Sequence, residues 1–394
     1  MATKTELLKG CLKRYLRSTK QEKKVMLDEL VNHMGMHRKA VIRSFRNLQM
    51  RDPWKSQKKA GRKTLYGADV EYALKDVWEI SSNLCAERLH EITGEYVEIL
   101  IRDGDWLHPK DTTEKLLKMS LGTMKNRIEK FQKKARKERN VTTKPSNLKE
   151  LIPVRRGPWM SPIPGFGEID TVVHCGSTLL GNMAYTVHYS DVATMWSEWN
   201  AQINKGQMRT RQSIEAMQKR LPFEMLGLDP DSGSEFVNWH LWQWCKENKI
   251  ELSRSRPNHK NDNAHIEQKN YTNVRNFFGY ARIDEQWQVD LMNELYAGPL
   301  RLYVNFFQPS VKCTKKERIG SRYKRRYDKA QTPYQRVMAH KKITPEVKKE
   351  LSEIYKTLNP LKLKREIDRI VKQIFTRKQI VVMPEKTNAN LVTV

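Results

Sequence analysis

The chain has 394 residues and a formal net charge of +28, with 30% charged and 38% hydrophobic residues. That length predicts about two to four domains and at least one sizeable core. No run approaches the ~18 uninterrupted apolar residues of a membrane span, and the N-terminal segment lacks the apolar core of a signal peptide. The five cysteines are scattered without a Cys-x-x-Cys pair. This argues against a disulfide framework or a thiolate zinc site and favours a reducing cytoplasm.

Charge is divided unevenly along the chain. Residues 1–160 and residues 301–394 each carry an excess of +16, whereas residues 161–300 carry −4. Two basic arms around a slightly acidic middle are typical of proteins that bind a polyanion such as nucleic acid. A merely soluble basic protein is the alternative that charge alone leaves open.

Residues 1–53 are predicted to form a helix-turn-helix DNA-binding domain. The segment QEKKVMLDELVNHMGMHRKAVIRSFRN contains two short amphipathic patterns separated by Gly35, which is the spacing of that motif. An ordinary helical hairpin with a solvated basic face is the alternative. The predicted apolar faces consist of Val25, Leu27, Leu30 and Val31, then Val41, Ile42 and Phe45. The second helix carries cations suited to phosphates and guanine edges, namely Arg38, Lys39, Arg43 and Arg46.

A basic linker is predicted at 54–67, where Arg62 and Lys63 are candidates for DNA contact. A second helix-turn-helix domain is predicted at 68–138, with its turn at Gly122. Its apolar residues recur at helical spacing at Leu116, Leu117, Met119, Leu121, Met124 and Ile128, and Lys125 and Arg127 lie on the helix after the turn. The polar, proline-bearing stretch 139–164 is predicted to be a linker.

Residues 165–300 are predicted to form an α/β domain. The predicted strands are FGEIDTVVH, MAYTVHYSD, MWSEWNAQI, FEMLGLD and IELSRS, and the predicted helices are QMRTRQSIEAMQKRL, EFVNWHLWQWCKENK and DNAHIEQKNYTNVRNFFGY. Three adjacent strands followed by strand–helix alternation indicate a mixed five-stranded sheet with helices on its faces. Residues 301–394 are predicted to be a basic DNA-binding region. Its segment 315–337 is a small β unit or an extended segment, and two helices follow at 344–380.

Three acids stand out by their placement in this α/β domain. Asp170 lies in the first predicted strand, Asp231 directly after the fourth, and Glu267 on the helix after the fifth, with 35 residues between the last two. Active sites of open sheets form at strand ends. Converging carboxylates need a compensating cation, and oxygen ligands select Mg²⁺ or Mn²⁺. Two such ions support phosphodiester chemistry.

The sequences EID (168–170), DSGSEF (231–236) and NDNAHIEQKN (261–270), with the gap of 35, resemble the catalytic core of bacterial insertion-sequence transposases of the retroviral-integrase (DDE) superfamily. The resemblance covers about 165–280. It implies a ribonuclease-H-like core in which Asp170, Asp231 and Glu267 are the catalytic metal ligands for two Mg²⁺ or Mn²⁺ ions.

The same resemblance implies a DNA transposase that binds terminal inverted repeats and then cleaves and transfers DNA strands. Its partners would be double-stranded DNA, both element ends and target. It would act as a homodimer or higher oligomer in the bacterial cytoplasm, associated with the nucleoid and not with a membrane. A catalytically inactive, sequence-specific DNA-binding regulator is the rival interpretation, and a plain nuclease is a third.

Some residues keep alternative roles. Asp231 is preferred to Asp229 as the second ligand because the family motif places its aspartate before a small residue and a glycine. Glu168 shares a strand face with Asp170 and is the fallback ligand. Relatives carry a cation seven residues after the glutamate, where this chain has Val274. Lys269 or Arg275 is predicted to supply that contact with DNA instead, and Lys260 is a further predicted DNA contact of the core.

Overall fold

The structure, a computed structural model, describes residues 4–50, 65–132, 163–230, 233, 235–253, 264–319 and 322–376. The chain divides into two compact units, at 1–64 and 65–394. None of the described helices is long and apolar enough to cross a membrane.

The first unit contains three helices, α1 (Lys4–Arg17), α2 (Lys20–Met34) and α3 (Arg38–Gln49). Thr19 and Glu22 form a capping box at the start of α2, and Gly35 ends it with a φ of +61°. This left-handed conformation suits glycine, so the predicted turn is correct. The predicted apolar faces need correction, because Val25 and Ile42 are exposed. The buried core consists of Leu8, Met26, Leu27, Leu30, Met34, Val41 and Phe45, and α1 completes it.

The second unit begins with four helices, α4 (Ala68–Ile80), α5 (Ala86–Arg102), α6 (Lys110–Leu117) and α7 (Leu121–Gln132). The sequence predicted a turn at Gly122, but the chain turns at 118–120 and Gly122 lies inside α7. The physical reason is Ser120, whose hydroxyl oxygen accepts the backbone N–H of Thr123 at 3.4 Å and so starts the helix earlier.

The central sheet has five strands, β1 (Phe166–His174), β2 (Ala184–Asp191), β3 (Ser197–Ile203), β4 (Gly227–Pro230) and β5 (Glu251–Leu252). Their order is β3-β2-β1-β4-β5. β2 is antiparallel to β1 and to β3, while β4 is parallel to β1 and β5 is parallel to β4. The predicted mixed five-stranded sheet is therefore confirmed.

Alternate residues of the strands pack on opposite faces of the sheet. One face, including Ile169, Tyr189 and Leu228, packs on α8 (Gln207–Gln218) and α9 (Trp239–Glu247). The other face, including Val172 and Trp199, is covered by the helices that follow β5. Those helices are α10 (Ala264–Asn270), a π-helical segment (Tyr271–Arg275), α11 (Asn276–Phe278), α12 (Gln286–Ala297) and α13 (Pro299–Phe307). One continuous helix was predicted over 262–280, and its first two residues lie outside the described residues.

The C-terminal part begins with a two-stranded antiparallel sheet, β6 (Cys313–Ile319) and β7 (Arg322–Tyr327). Of the two predicted alternatives, the small β unit is therefore correct. Three helices follow, α14 (Pro333–Ala339), α15 (Pro345–Thr357) and α16 (Pro360–Thr376), so the predicted helical pair within 344–380 is present.

The predicted domain boundaries inside the second unit do not match its packing. A single hydrophobic core joins side chains from α4, the central sheet, α13 and α16, including Val70, Trp199, Leu300 and Ile374. In addition, α13 continues through the proposed boundary at 300/301. The described parts of these regions, 68–132 and 301–376, therefore contribute apolar side chains to the same core as the α/β domain.

Candidate functional site

Asp170 lies in the middle of β1 and is partly exposed. Its Oδ1 accepts the backbone N–H of Thr171 at 2.7 Å, and its Oδ2 accepts the side-chain amide of Asn270 at 2.6 Å. Asn270 is the last residue of α10. This second hydrogen bond therefore places the C-terminal end of α10 against the centre of β1.

A buried histidine extends this contact. Nδ1 of His188, which pairs with Asp170 across the β1–β2 ladder, lies 2.6 Å from Oδ1 of Asn270. Because Asn270 already donates its amide to Asp170, its oxygen must accept from an Nδ1–H of His188. Burial lowers the pKa of His188 to about 3, so the ring is neutral at physiological pH. The ring stacks on Trp199, with centroids 5.2 Å apart.

A second contact holds the other end of α10. Glu168 is fully buried on β1, and its Oε2 accepts the backbone N–H of Ile266 at 3.0 Å. Glu168 and Asp170, two residues apart on one strand face, thus attach α10 at both of its ends. The fallback role predicted for Glu168 as a metal ligand gains no support from this placement, because one carboxylate oxygen is used to hold the helix.

The end of β4 lies beside Asp170. Asp229 pairs with Glu168, and Pro230, the last residue of β4, pairs with Ile169. Asp229 is buried, and its Oδ1 accepts the hydroxyl of Ser253 after β5 at 2.6 Å. This contact gives Asp229 a structural role, because it joins β4 to the chain after β5. Asp231 lies outside the described residues, and it follows Pro230 directly in the sequence.

The structure places β1, the end of β4 and α10 next to one another. Asp170 in β1, the end of β4 at Pro230, and α10, which contains Glu267, are neighbours. At Glu267 the structure describes the backbone path only. Within the described ranges, no group of three histidine, cysteine, aspartate or glutamate side chains is arranged to hold a metal ion. Of the three acids predicted as catalytic ligands, Asp170 is the one whose side chain is described, and it is a partly exposed carboxylate, the kind of hard oxygen donor that Mg²⁺ or Mn²⁺ accepts.

Two predicted DNA contacts of the core are directed into the protein. The ammonium of Lys269 donates to Ser197 Oγ at 2.9 Å and to the carbonyl oxygen of Met195, and burial lowers the pKa of Lys269 to about 7. The guanidinium of Arg275 donates to Val173 O at 2.7 Å and lies over the Tyr280 ring. These donors attach α10 and the π-helical segment to the sheet, so neither side chain is placed to contact DNA.

The basic side chains of α3 that were predicted to contact DNA differ in whether they are already paired with an acid. Lys39, Arg43 and Arg46 are exposed at positions i, i+4 and i+7 of α3, hence along one stripe. Among the described residues none of the three has an acidic partner. In contrast, Arg38 forms an ion pair with Asp28.

The two basic residues of α7 that were predicted to contact DNA both form ion pairs within the protein. Lys125 pairs with Glu87 at 3.1 Å, and Arg127 pairs with Glu71 at 2.8 Å. Arg127 also donates to the carbonyl oxygen of Tyr66, so it fastens α7 to the start of α4 instead of facing DNA. Three further predicted contacts, Arg62, Lys63 and Lys260, lie outside the described residues.

Sequence reasoning missed Asn270 and His188. A signal for Asn270 was present, since an amide three residues after Glu267 recurs on the same side of a helix. For His188 the pattern gave no such signal. Its pairing with Asp170 depends on the register of β1 and β2, which only the folded sheet defines.

Known proteins provide one sequence relative and several structural likenesses. No family model matches the chain. It is 35% identical over 335 residues to the uncharacterized protein y4rM of Sinorhizobium fredii, a match that covers 83% of this chain and 93% of that protein. The chain therefore belongs to the same family as y4rM.

Retroviral integrase catalytic core domains are similar to part of the chain. For the HTLV-2 domain in complex with magnesium, the TM-score is 0.28 at 12% identity over 38% of this chain and 91% of that one. For the BIV domain, the TM-score is 0.29 at 14% identity over 43% of this chain and 91% of that one. These TM-scores are low, so we describe the fold of this chain from its own strand order and packing and not from these likenesses.

Proposed function

We propose that this protein is a DNA transposase of the retroviral-integrase superfamily, with a ribonuclease-H-like core that cleaves and joins DNA strands. The main support is that β1, the end of β4 and α10 are neighbours, since β1 carries Asp170, α10 carries Glu267, and Asp231 directly follows the last residue of β4 in the sequence. The sequence motifs and their gap of 35 residues supply the assignment of these acids.

In this proposal the three carboxylates hold Mg²⁺ or Mn²⁺, with two ions per site. When bound, such ions activate water or a 3′-hydroxyl and stabilise the leaving oxygen of a phosphodiester. The protein's own contribution is orientation. Asn270 fixes one oxygen of Asp170, His188 fixes the amide of Asn270, and Glu168 holds the start of α10.

The same proposal assigns recognition of terminal inverted repeats to the first unit. Lys39, Arg43 and Arg46 form the exposed basic stripe of α3 that would contact DNA. The second helix of a helix-turn-helix reads the major groove. Arg62, Lys63 and Lys260 remain predicted DNA contacts. Synapsis of two DNA ends would require a homodimer or a higher oligomer.

Substitution of the acids tests the catalytic proposal. Asp170→Asn, Asp231→Asn and Glu267→Gln should abolish strand cleavage and strand transfer, because a hard cation binds a neutral amide poorly. DNA affinity should stay equal or rise, since each change removes a negative charge. The assay is strand transfer in Mg²⁺ and in Mn²⁺ beside a binding titration.

Asp229→Asn is the matched control, because asparagine keeps an oxygen that accepts the Ser253 hydroxyl. It should retain most activity. An active Glu267→Gln protein would refute the metal-site proposal. Loss of activity in Asp229→Asn beside an active Asp231→Asn would move the second ligand to position 229. Specific DNA binding by a wild-type protein that transfers no strands would instead indicate a regulator.

A further inference from the structure

A cavity of about 280 Å³ opens beside α10 and the π-helical segment. Its lining also includes the α4–α5 connection at 82–85 and the chain at 308–311. Among the side chains that the structure describes, the lining includes Arg88 with amide and hydroxyl groups and no aspartate or glutamate, while the Lys269 ammonium at its edge is directed to Ser197 and Met195. A lining that combines an arginine with neutral polar groups is suited to an anionic ligand.

The α4–α5 connection is held in an unusual conformation at this cavity. Ser82 and Asn83 have φ values of +57° and +65°, which are uncommon for residues other than glycine. The backbone N–H of Asn83 donates to Trp78 O at 2.9 Å, and the Trp78 indole N–H donates to Leu84 O at 3.0 Å. The Ser82 hydroxyl lies 3.0 Å from the Tyr303 hydroxyl. Such over-determined backbone conformations concentrate at ligand and active sites.

Two side chains of the lining have the chemistry to bind a nucleotide. Arg88 is partly buried, and within the described part of the chain it forms no ion pair. Tyr271, the first residue of the π-helical segment, is 49% exposed. An arginine can contact a phosphate through two parallel hydrogen bonds, and a tyrosine ring stacks with any base. The hydroxyl of Ser310 is buried without a partner among the described residues, and it also lines the cavity.

We propose that this cavity holds one nucleotide of the DNA strand presented to α10, with its phosphate on Arg88 and its base against Tyr271. The inference rests on the proposed function, since it assigns a place for the strand beside the helix that carries Glu267. The cavity volume lies near the lower limit of ligand sites, about 300–1,000 Å³, so it accommodates a single nucleotide and excludes a duplex.

Cys85 provides a direct probe because it lines the cavity and is exposed. The experiment measures alkylation of Cys85 by mass spectrometry in the full-length protein, with and without a single-stranded oligonucleotide of random sequence. At about ten times the Kd of the oligonucleotide, alkylation should slow by about tenfold. Alkylation of Cys175, which does not line the cavity, is the internal reference and should not change.

Variants separate occupancy of the cavity from DNA binding elsewhere. Arg88→Ala should abolish protection of Cys85 and lower the salt slope of single-strand binding by roughly 0.7, the value for one phosphate. Tyr271→Ala should weaken single-strand binding roughly fivefold or more, whereas Tyr271→Phe keeps the ring and should bind as the wild type does. Arg365→Ala, an exposed arginine of α16 outside the lining, should change none of these measurements.

The two proposals can fail separately. Full alkylation of Cys85 in the presence of saturating oligonucleotide, or unchanged protection in Arg88→Ala, would overturn the cavity proposal even if strand transfer by the wild type is normal. Conversely, protection of Cys85 that depends on Arg88, in a wild-type protein without metal-dependent cleavage, would support the cavity and refute the catalytic function.

Discussion

At the scale of single residues, the orientation of Asp170 depends on a chain of two hydrogen bonds. Asn270 donates to Asp170, and His188 donates to Asn270. Groups that orient a metal ligand commonly change metal affinity or activity by about 10–100-fold when they are removed. If Asp170 is a metal ligand, Asn270 and His188 are positioning residues whose loss should be measurable apart from folding.

We expect Asn270→Ala to lower strand-transfer activity by about 10–100-fold and to raise the Mg²⁺ concentration needed for half activity. It should also lower the free energy of unfolding by about 1–3 kcal/mol, because the Nδ1–H of His188 loses its buried partner. The measurements are a Mg²⁺ titration of activity and urea unfolding. His188→Asn, which retains an amide N–H near the position of Nδ1, should fall between the wild type and Asn270→Ala. Equal Mg²⁺ requirements in all three proteins would contradict a positioning role.

Lys269 makes the stability of the protein depend on pH. Burial lowers the pKa of this lysine to about 7 from the usual lysine value of 10.5. Between these values the unfolded chain binds more protons than the folded one, so the contribution of Lys269 to the free energy of unfolding rises with pH. Below about pH 7 Lys269 is protonated in both the folded and the unfolded chain. The burial of its charge then lowers the free energy of unfolding by the full amount.

Lys269→Met should therefore remove this pH dependence. The difference in unfolding free energy between wild type and variant should shift in favour of the wild type from pH 7 to pH 9.5, as measured by urea unfolding at constant ionic strength. Lys349→Met, at an exposed lysine of α15, is the control and should behave as the wild type does across the range. A difference that is independent of pH would contradict the burial of the ammonium.

At the scale of helices and turns, the first unit depends on the end of α2 at Gly35. The φ of +61° at Gly35 is unfavourable for other residues, although a Cβ there would meet no atom within 4 Å. Gly10 also has open space around its Cα but lies inside α1 with ordinary helical backbone. Neither position would create a steric clash on substitution by alanine, and only Gly35 has a left-handed backbone. A comparison of the two substitutions therefore measures the free-energy cost of the backbone conformation alone.

Gly35→Ala should destabilise the first unit by roughly 1–2 kcal/mol because of the left-handed backbone. Gly10→Ala should stabilise it by up to about 1 kcal/mol, because alanine favours a helix interior. Thermal unfolding followed by circular dichroism compares the two variants with the wild type. If both substitutions shift the transition in the same direction, the assigned turn at Gly35 is wrong.

At the scale of the whole molecule, the charge distribution should dominate DNA affinity. Residues 1–160 and 301–394 each carry +16, and each phosphate neutralised contributes a slope of roughly −0.9 in log K against log salt for duplex DNA. We expect steep salt dependence in the full chain, and a smaller slope after deletion of 1–64. Equal slopes for both proteins would exclude a DNA contact by the first unit.

The packing determines where the chain should be cut for this experiment. Deletion of the two predicted helix-turn-helix domains together would remove α4–α7, whose side chains Val70, Leu74 and Leu89 belong to the core shared with the sheet and α16. The boundary at 64/65 avoids that loss. A protein lacking 1–140 should therefore aggregate or unfold, which solubility and circular dichroism would show, whereas one lacking 1–64 should remain folded.

By itself, the sequence determined the features that depend on local pattern. The alternation of apolar residues predicted β1 at 166–174, and helical spacing with a glycine predicted the turn at Gly35. It also determined the charge distribution and the three candidate acids. The predictions of β1 and of the turn at Gly35 are correct because backbone preference, side-chain periodicity and turn chemistry act over a few neighbouring residues.

Only the tertiary structure decided which distant residues meet. It paired His188 with Asn270, turned Lys269 and Arg275 inward, and merged α4–α7 and α13–α16 with the sheet into one core. The buried contact between His188 and Asn270, for example, links residues 82 positions apart. Its energy depends on burial and geometry that no local pattern contains, because shifting the register by one residue would turn every side chain to the other face.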